Sequence, residues 1–166
     1  NTKAILIVAG EPYSIFSEIL FKSLSKVNSK RPIVLIASKK LFEKQMKKLG
    51  FKFNFEEIDK DLSKVISNKK NVINIINVDF NQKKIFDKIS SKSNKYVNES
   101  FLIANNLLKK GKAFGMINGP ISKKTFLKTK FLGITEYLAK MNKVKNFAML
   151  IYNKNFSVSP LTTHIA

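Results

Sequence analysis

Short unbroken apolar runs alternate along this chain with stretches in which apolar residues recur every three or four positions. A run of four to eight apolar residues bounded by turn formers reads as a strand buried on both faces, whereas the three-to-four recurrence reads as an amphipathic helix. Strands are therefore predicted at 4–10 (AILIVAG), 32–38 (PIVLIAS), 72–78 (VINIINV) and 113–119 (AFGMING). The stretch 51–58 (FKFNFEEI) alternates apolar and polar residues like a half-exposed strand. Helices are predicted at 14–27, with Ser14 as N-cap and Ile15, Ile19, Leu20, Leu24 and Val27 on the apolar face, and at 39–50, stopped by Gly50. A longer helix at 94–109 carries Val97, Phe101, Ala104, Leu107 and Leu108 as its stripe. Residues 61–68 suggest a short helix, 120–142 are helix-rich, and 81–93 are polar without a clear element. Two further strands, 147–153 and 156–165, close the chain.

Buried strands separated by helices imply an α/β fold, a mainly parallel sheet with helices on both faces, here as a single unit over 1–166. Ligands of such sheets sit beyond the carboxyl ends of the strands. Three predicted strand ends carry unusual residues: Gly10-Glu11-Pro12, the run Asn118 to Lys123 (NGPISK), and Thr162-Thr163-His164. All three are expected to face one cleft.

Charge changes the picture less than its size suggests. The 166 residues carry a formal net charge of +20, which invites a nucleic-acid reading. Yet Arg31 is the single arginine, and base readout favours the bidentate guanidinium fork over the lysine point charge. The lysines are spread over every segment, as a compositional bias would place them. The expectation is no nucleic-acid partner, with a positive field that draws in anionic substrates. No apolar run approaches the ~20 residues that span a bilayer, so no membrane partner is expected. The absence of cysteine excludes disulfides and thiolate metal sites and fits a cytoplasmic location.

Each turn has an ordinary reading beside a chemical one. Gly10-Glu11-Pro12 is either turn chemistry or a backbone loop near an anion at the start of the next helix. It lacks the spaced glycines of a dinucleotide fingerprint. Pro120 suits the start of a helix, which places Lys123 in the first turn, where the macrodipole disfavours a cation unless a ligand anion meets it. Thr135 either caps the helix that follows Gly133 or offers its hydroxyl to a substrate. His164 is the only histidine. A lone imidazole is either structural or one member of a ligand set, since a catalytic metal typically needs three protein ligands.

In combination and order these pieces resemble the 4-hydroxythreonine-4-phosphate dehydrogenases of vitamin B6 (pyridoxal phosphate) biosynthesis. The family's GDP or GEP turn is matched by AGEP at 9–12, its TGP-x-x-K turn by NGPISK at 118–123 and its GHTE element by GITE at 133–136. Its MML strand is matched by AMLIY at 148–152, and its TTH element by TTHIA at 162–166. The resemblance implies an isocitrate/isopropylmalate dehydrogenase-like fold, incomplete relative to the family, with this chain corresponding to roughly the N-terminal half. It further implies an NAD-dependent oxidoreductase that oxidises the secondary alcohol of 4-hydroxythreonine 4-phosphate to a β-keto acid, which then decarboxylates. A divalent metal (Zn, Mg or Co) held by three histidines polarises the alcohol in that family.

By the same resemblance His164 is a metal ligand, Lys123 a catalytic residue of the cleft, and Thr135 a substrate-binding residue. Ile134 stands at a substrate-binding position where the family has histidine, and Ser122 stands where histidine is frequent. The run after the first turn, Tyr13 to Ser17, replaces a glycine-rich one. The family implies a phosphorylated small-molecule substrate and a homodimer. The other expectation is a non-catalytic or divergent α/β domain that acts through dimerisation.

Overall fold

A computed structural model describes residues 2–63, 69–81, 83–128 and 130–160. The chain separates into two compact units, 1–121 and 122–166.

The first unit is built on five strands: β1 (Ala4–Val8), β2 (Ile33–Ala37), β3 (Asn54–Glu57), β4 (Val72–Asn77) and β5 (Ala113–Asn118). They form one sheet in the order β3-β4-β2-β1-β5, and every neighbouring pair is parallel. The strands interleave with α1 (Phe16–Leu24), α2 (Lys39–Lys48) and α3 (Asn94–Lys109), the α/β arrangement expected from the alternating pattern. β1 lies between β2 and β5, so the chain reverses its direction of travel across the sheet on either side of β1. Such a switch point is where the loops of open α/β sheets diverge and leave room for a ligand.

Side chains alternate between the two faces of each strand. On one face Ile7, Leu35, Ile73 and Ile75 pack with Phe16, Leu20 and Phe21 of α1 and Phe42 and Met46 of α2. Phe21 is the centre of an aromatic cluster, its ring 6.0 Å from Phe42, 5.5 Å from Phe51 and 5.8 Å from Phe53. On the other face α3 packs against β1, β2 and β5, and Leu6, Val8, Val34, Ile36, Val97, Phe101 and Ala104 are all buried. Each large apolar side chain so buried is worth about 1.5–3 kcal/mol.

α3 has the bounds and stripe that its periodicity predicts, except that Leu108 is only half-buried. α2 is capped by Ser38, whose hydroxyl accepts from the Leu41 N–H, and Gly50 follows with φ +76°, the left-handed stop that glycine permits. β3 is the half-exposed edge strand. In α1 the expectation needs correction. Ser14 does not hold the N-cap position, which falls to Ile15: the Ser14 hydroxyl donates to the Glu11 carbonyl at 2.8 Å and accepts from the Phe16 N–H at 3.3 Å. Nor do Ile15, Ile19 and Val27 face the core, since all three are exposed. Phe16 and Phe21 offer more apolar area than the aliphatic stripe, so the helix is rotated to bury them together with Leu20.

In the second unit the helix-rich segment resolves into a single π-helical turn, Lys123–Leu127, and a helix α4, Ile134–Met141. Pro120 does not begin a helix; the turn starts three residues later, capped by Ser122, whose hydroxyl accepts from the Thr125 N–H at 3.1 Å. The two predicted closing strands are, among the described residues, reduced to one antiparallel bridge between Ile151 and Val158, with a turn at Asn153 between them. The predicted helix at 61–68 falls largely on residues outside those described, as does the stretch 161–166.

Candidate functional site

The expected meeting of the first and fifth strand ends is present at the switch point. The Glu11 N–H donates to the Pro120 carbonyl at 2.8 Å, and the Gly119 N–H donates to the Val8 carbonyl at 2.7 Å. Gly10 has φ +73°, and any Cβ placed there would collide with the Pro120 carbonyl oxygen. A Cβ on Gly119 would collide with the Ala9 carbonyl and lie 2.9 Å from the Phe16 ring. Both glycines are thus required by close approach of two backbones. The space beside Gly10 is taken by protein, so the turn does not cradle a cofactor phosphate at that point.

Glu11 is the unusual member of this junction. It is only 2% exposed, although carboxylates are rarely buried without partners. Its Oε2 lies 2.8 Å from Ser93 Oγ, while its Oε1 meets no hydrogen-bond partner. Burial raises its pKa above the ordinary glutamate value of 4.5, against smaller opposing contributions from the Ser93 hydroxyl and the Tyr13 backbone N–H. Gln45, fully buried on α2, donates from Nε2 to the Pro12 carbonyl at 2.9 Å and the Ile85 carbonyl at 3.1 Å. The turn after β1 is therefore fixed from three sides: by the β5 turn, by α2 and by the turn that precedes α3.

Beside this junction, at the ends of β2 and β4, lies a cavity of about 450 Å³ lined by Ser38, Lys39, Lys40, Glu43, Asn77, Asp79, Phe80 and Asn81. The start of α2 opens into it. The Lys39 N–H is already bound by Asn77 Oδ1 at 3.0 Å and the Leu41 N–H by Ser38 Oγ, and two carboxylates balance the two ammonium groups. This helix start is therefore largely satisfied without an anion.

The remaining predicted site residues fall in the second unit. Lys123 opens the π-helical turn. Ile134 and Thr135 are the first two residues of α4, and Gly133 occupies the N-cap position, so Thr135 is not the cap. Its half-buried side chain stays available for another role. Phe126 and Tyr137 join the two elements edge to face, with ring centroids 5.1 Å apart. His164 lies outside the described residues, as do Thr162 and Thr163, so the expected third strand end of the cleft does too. Sequence reasoning missed Ser93 and Gln45. Gln45 did leave a signal: it stands among Leu41, Phe42 and Met46 on the apolar face of α2.

The profile of the family described as "Pyridoxal phosphate biosynthetic protein PdxA" matches residues 28–166. The chain belongs to this family. A 4-hydroxythreonine-4-phosphate dehydrogenase of Sulfurihydrogenibium is 34% identical over 97% of this chain and 49% of its own length. One from Aquifex aeolicus is 28% identical over 98% of this chain and 50% of its own length. The chain thus spans about half the length of the curated relatives it matches. Crystal structures of 4-hydroxythreonine-4-phosphate dehydrogenases share the fold. That from Burkholderia phymatum has a TM-score of 0.85 at 21% identity, covering 100% of this chain and 51% of its own. That from Klebsiella pneumoniae has a TM-score of 0.86 at 23% identity, covering 99% of this chain and 52% of its own. The PdxA turns at 9–12 and 118–120 are the pair that the sheet brings together.

Proposed function

We propose that this chain is part of a cytoplasmic PdxA-type enzyme that oxidises 4-hydroxythreonine 4-phosphate with NAD, the resulting β-keto acid losing carbon dioxide. The observation that carries the reading is the match of almost the whole chain, at 34% identity, to a protein named for that dehydrogenase. The junction of the AGEP and NGP turns at the switch point supports it.

In this reading Lys123 places an ammonium against the anionic groups of the substrate, and Thr135 gives its hydroxyl to a polar substrate atom. Ile134 forms no hydrogen bond where the family has histidine, so a substrate group left unpaired there weakens binding by about 1–3 kcal/mol. His164 offers one imidazole to a divalent metal, which when bound acts as a Lewis acid on the alcohol. This chain's donors do not complete such a site. It holds one histidine and no cysteine, and the described residues bring together no group of three His, Cys, Asp or Glu.

The test is NADH formation from 4-hydroxythreonine 4-phosphate with zinc, magnesium or cobalt added. The whole enzyme of which this chain is part is expected to reduce NAD, Lys123→Ala to raise KM for the phosphorylated substrate at least tenfold, and His164→Ala to abolish the metal-supported activity. No NADH from the wild type with any of the three metals overturns the reading.

A second reading, a divergent domain that works through dimerisation, is favoured by one feature of the second unit. Leu150, Ile151, Tyr152 and Phe156 are all exposed around the Ile151–Val158 bridge, an apolar stretch that a second copy would cover. A dimer that Tyr152→Ser and Phe156→Ser together convert to monomer, in protein without NAD reduction, would favour it over the first.

A further inference from the structure

Ser93 Oγ lies 2.8 Å from Glu11 Oε2 and also 2.8 Å from the Ser90 carbonyl oxygen. A hydroxyl has one proton to donate. A carbonyl can only accept, so if Ser93 gives its proton to Ser90, the contact with Glu11 requires a proton on the carboxyl. An ionised Glu11 would leave two acceptors competing for one hydrogen in a site that water does not reach.

We propose that Glu11 is a positioning residue that holds a proton in the folded chain and donates it to Ser93, tying the turn after β1 to the turn that leads into α3. The proton relay is then complete: Glu11 Oε2–H to Ser93 Oγ, and Ser93 Oγ–H to the Ser90 carbonyl. Glu11 also binds Pro120 through its backbone N–H, so the same residue sets the β1 turn against the β5 turn. Ionisation leaves the single Ser93 proton to one of two acceptors, so that when it turns to the carboxylate the bond to the Ser90 carbonyl is lost and Ser93 loosens from its own turn, while the backbone bond to Pro120 remains.

The surroundings on balance favour the neutral form, although the Tyr13 backbone N–H works against it. Two phenols face the carboxyl, Tyr13 from its own turn and Tyr96 from α3, and neither carries a positive charge. α2 contributes the neutral Gln45 through Pro12, and the β5 turn contributes Gly119 and Pro120. From the segment before α3, Asp87 faces Tyr13 but is itself paired with Lys84 at 3.6 Å, so the two charges largely offset each other. Lys39, at the start of α2, points to Glu57 instead, 3.5 Å away. Burial, which dominates the shift of Glu11, works in the same direction.

This role deepens the proposed dehydrogenase reading, since it concerns the turns that border its cleft, but its test does not depend on activity. The side-chain carboxyl carbon of Glu11 is followed by NMR as pH is raised, in wild type and in Ser93→Ala. The expected result is titration above 4.5 in both, because burial persists without the serine. Glu11→Gln can donate to Ser93 without ionising. Its stability is expected to lose the decline with rising pH that the wild type shows above the ordinary carboxylate range. Titration of Glu11 at or below 4.5 overturns the proposal, as does a pH–stability profile of Glu11→Gln that falls in parallel with the wild type. In active protein, Glu11→Gln should keep kcat and flatten the alkaline limb of the KM profile, whereas Glu11→Ala should raise KM. Wild type without NAD reduction would end the dehydrogenase reading and leave the NMR result to decide the positioning role.

Discussion

Gly10 and Gly119 face each other's turns so closely that neither tolerates a Cβ: Gly10 is blocked by the Pro120 carbonyl and Gly119 by the Ala9 carbonyl. Two strands that are neighbours in space but first and last in the unit are thereby locked at their carboxyl ends. A side chain at either position forces backbone apart at the one place where the sheet changes direction.

Gly119→Ala should therefore destabilise by about 1–3 kcal/mol, the range of overpacking in a well-packed site. Gly10→Ala should cost at least as much, because its φ of +73° adds left-handed strain to the clash. Gly50→Ala provides the strain alone, with φ +76° and open space around it, and should cost about 1–2 kcal/mol. Gly115→Ala, with nothing within 4 Å and an ordinary strand conformation, should be close to neutral. Urea unfolding of the four variants checks the order; equal losses at Gly119 and Gly115 would show that the contact is not rigid.

The strands were legible because parallel strands buried on both faces are unbroken apolar runs, and β1, β2, β4 and β5 each fall within one residue or two of the predicted bounds. α3 was legible because Val97, Phe101 and Ala104 repeat at helical spacing. The face of α1 was not, because two stripes compete on it and spacing alone does not weigh a phenylalanine against a valine. The turns were legible as turns, since glycine and proline mark them. Their mutual contact was not, because nothing local in AGEP or NGP reveals which strand ends become neighbours. Glu11 looked like a turn residue for the same reason: its burial is made by Ser93 and by the Pro120 turn, both remote in sequence.

Phe21 shows what that aromatic weight means for stability. It is fully buried and meets Phe42, Phe51 and Phe53, so it joins α1, α2 and the approach to β3. Phe21→Ala should cost about 3–5 kcal/mol, as truncation of a core aromatic does. Val27→Ala, on the exposed stripe that the spacing favoured, should stay within about 0.5 kcal/mol. Chemical denaturation of both distinguishes the two faces; a larger loss at Val27 would restore the aliphatic stripe as the packed one.

Gln45 holds two carbonyls on one amide, that of Pro12 buried and that of Ile85 half-buried. Gln45→Leu keeps the volume but strands the Pro12 and Ile85 oxygens, at about 1–3 kcal/mol in all. The loss should be local as well as global. Amide hydrogen exchange should speed up at Tyr13 and Ser14 and near Ile85, with little change in α3. Uniform acceleration across the unit would mean that Gln45 acts through packing rather than through these two bonds.

Tyr137 gives the second unit its own pH signature. Burial raises its phenol from 10.0 to about 12, and Phe126 and Phe131 stand edge-on to its ring at 5.1 and 5.6 Å. A raised folded-state pKa means that the fold binds the phenolic proton more tightly than the unfolded chain does. The contribution is complete below pH 10 and is lost as pH rises from 10 towards about 12. The repulsion within so basic a chain also changes with pH. The two effects separate by difference: Tyr137→Phe removes the phenol and leaves every lysine. Thermal unfolding between pH 9.5 and 11.5 should show wild type losing ground relative to Tyr137→Phe as pH rises, while tyrosinate absorbance in the wild type develops late. If the difference between the two proteins is constant with pH, the phenol is exposed to water and the edge-to-face packing of the turn against α4 is looser than described.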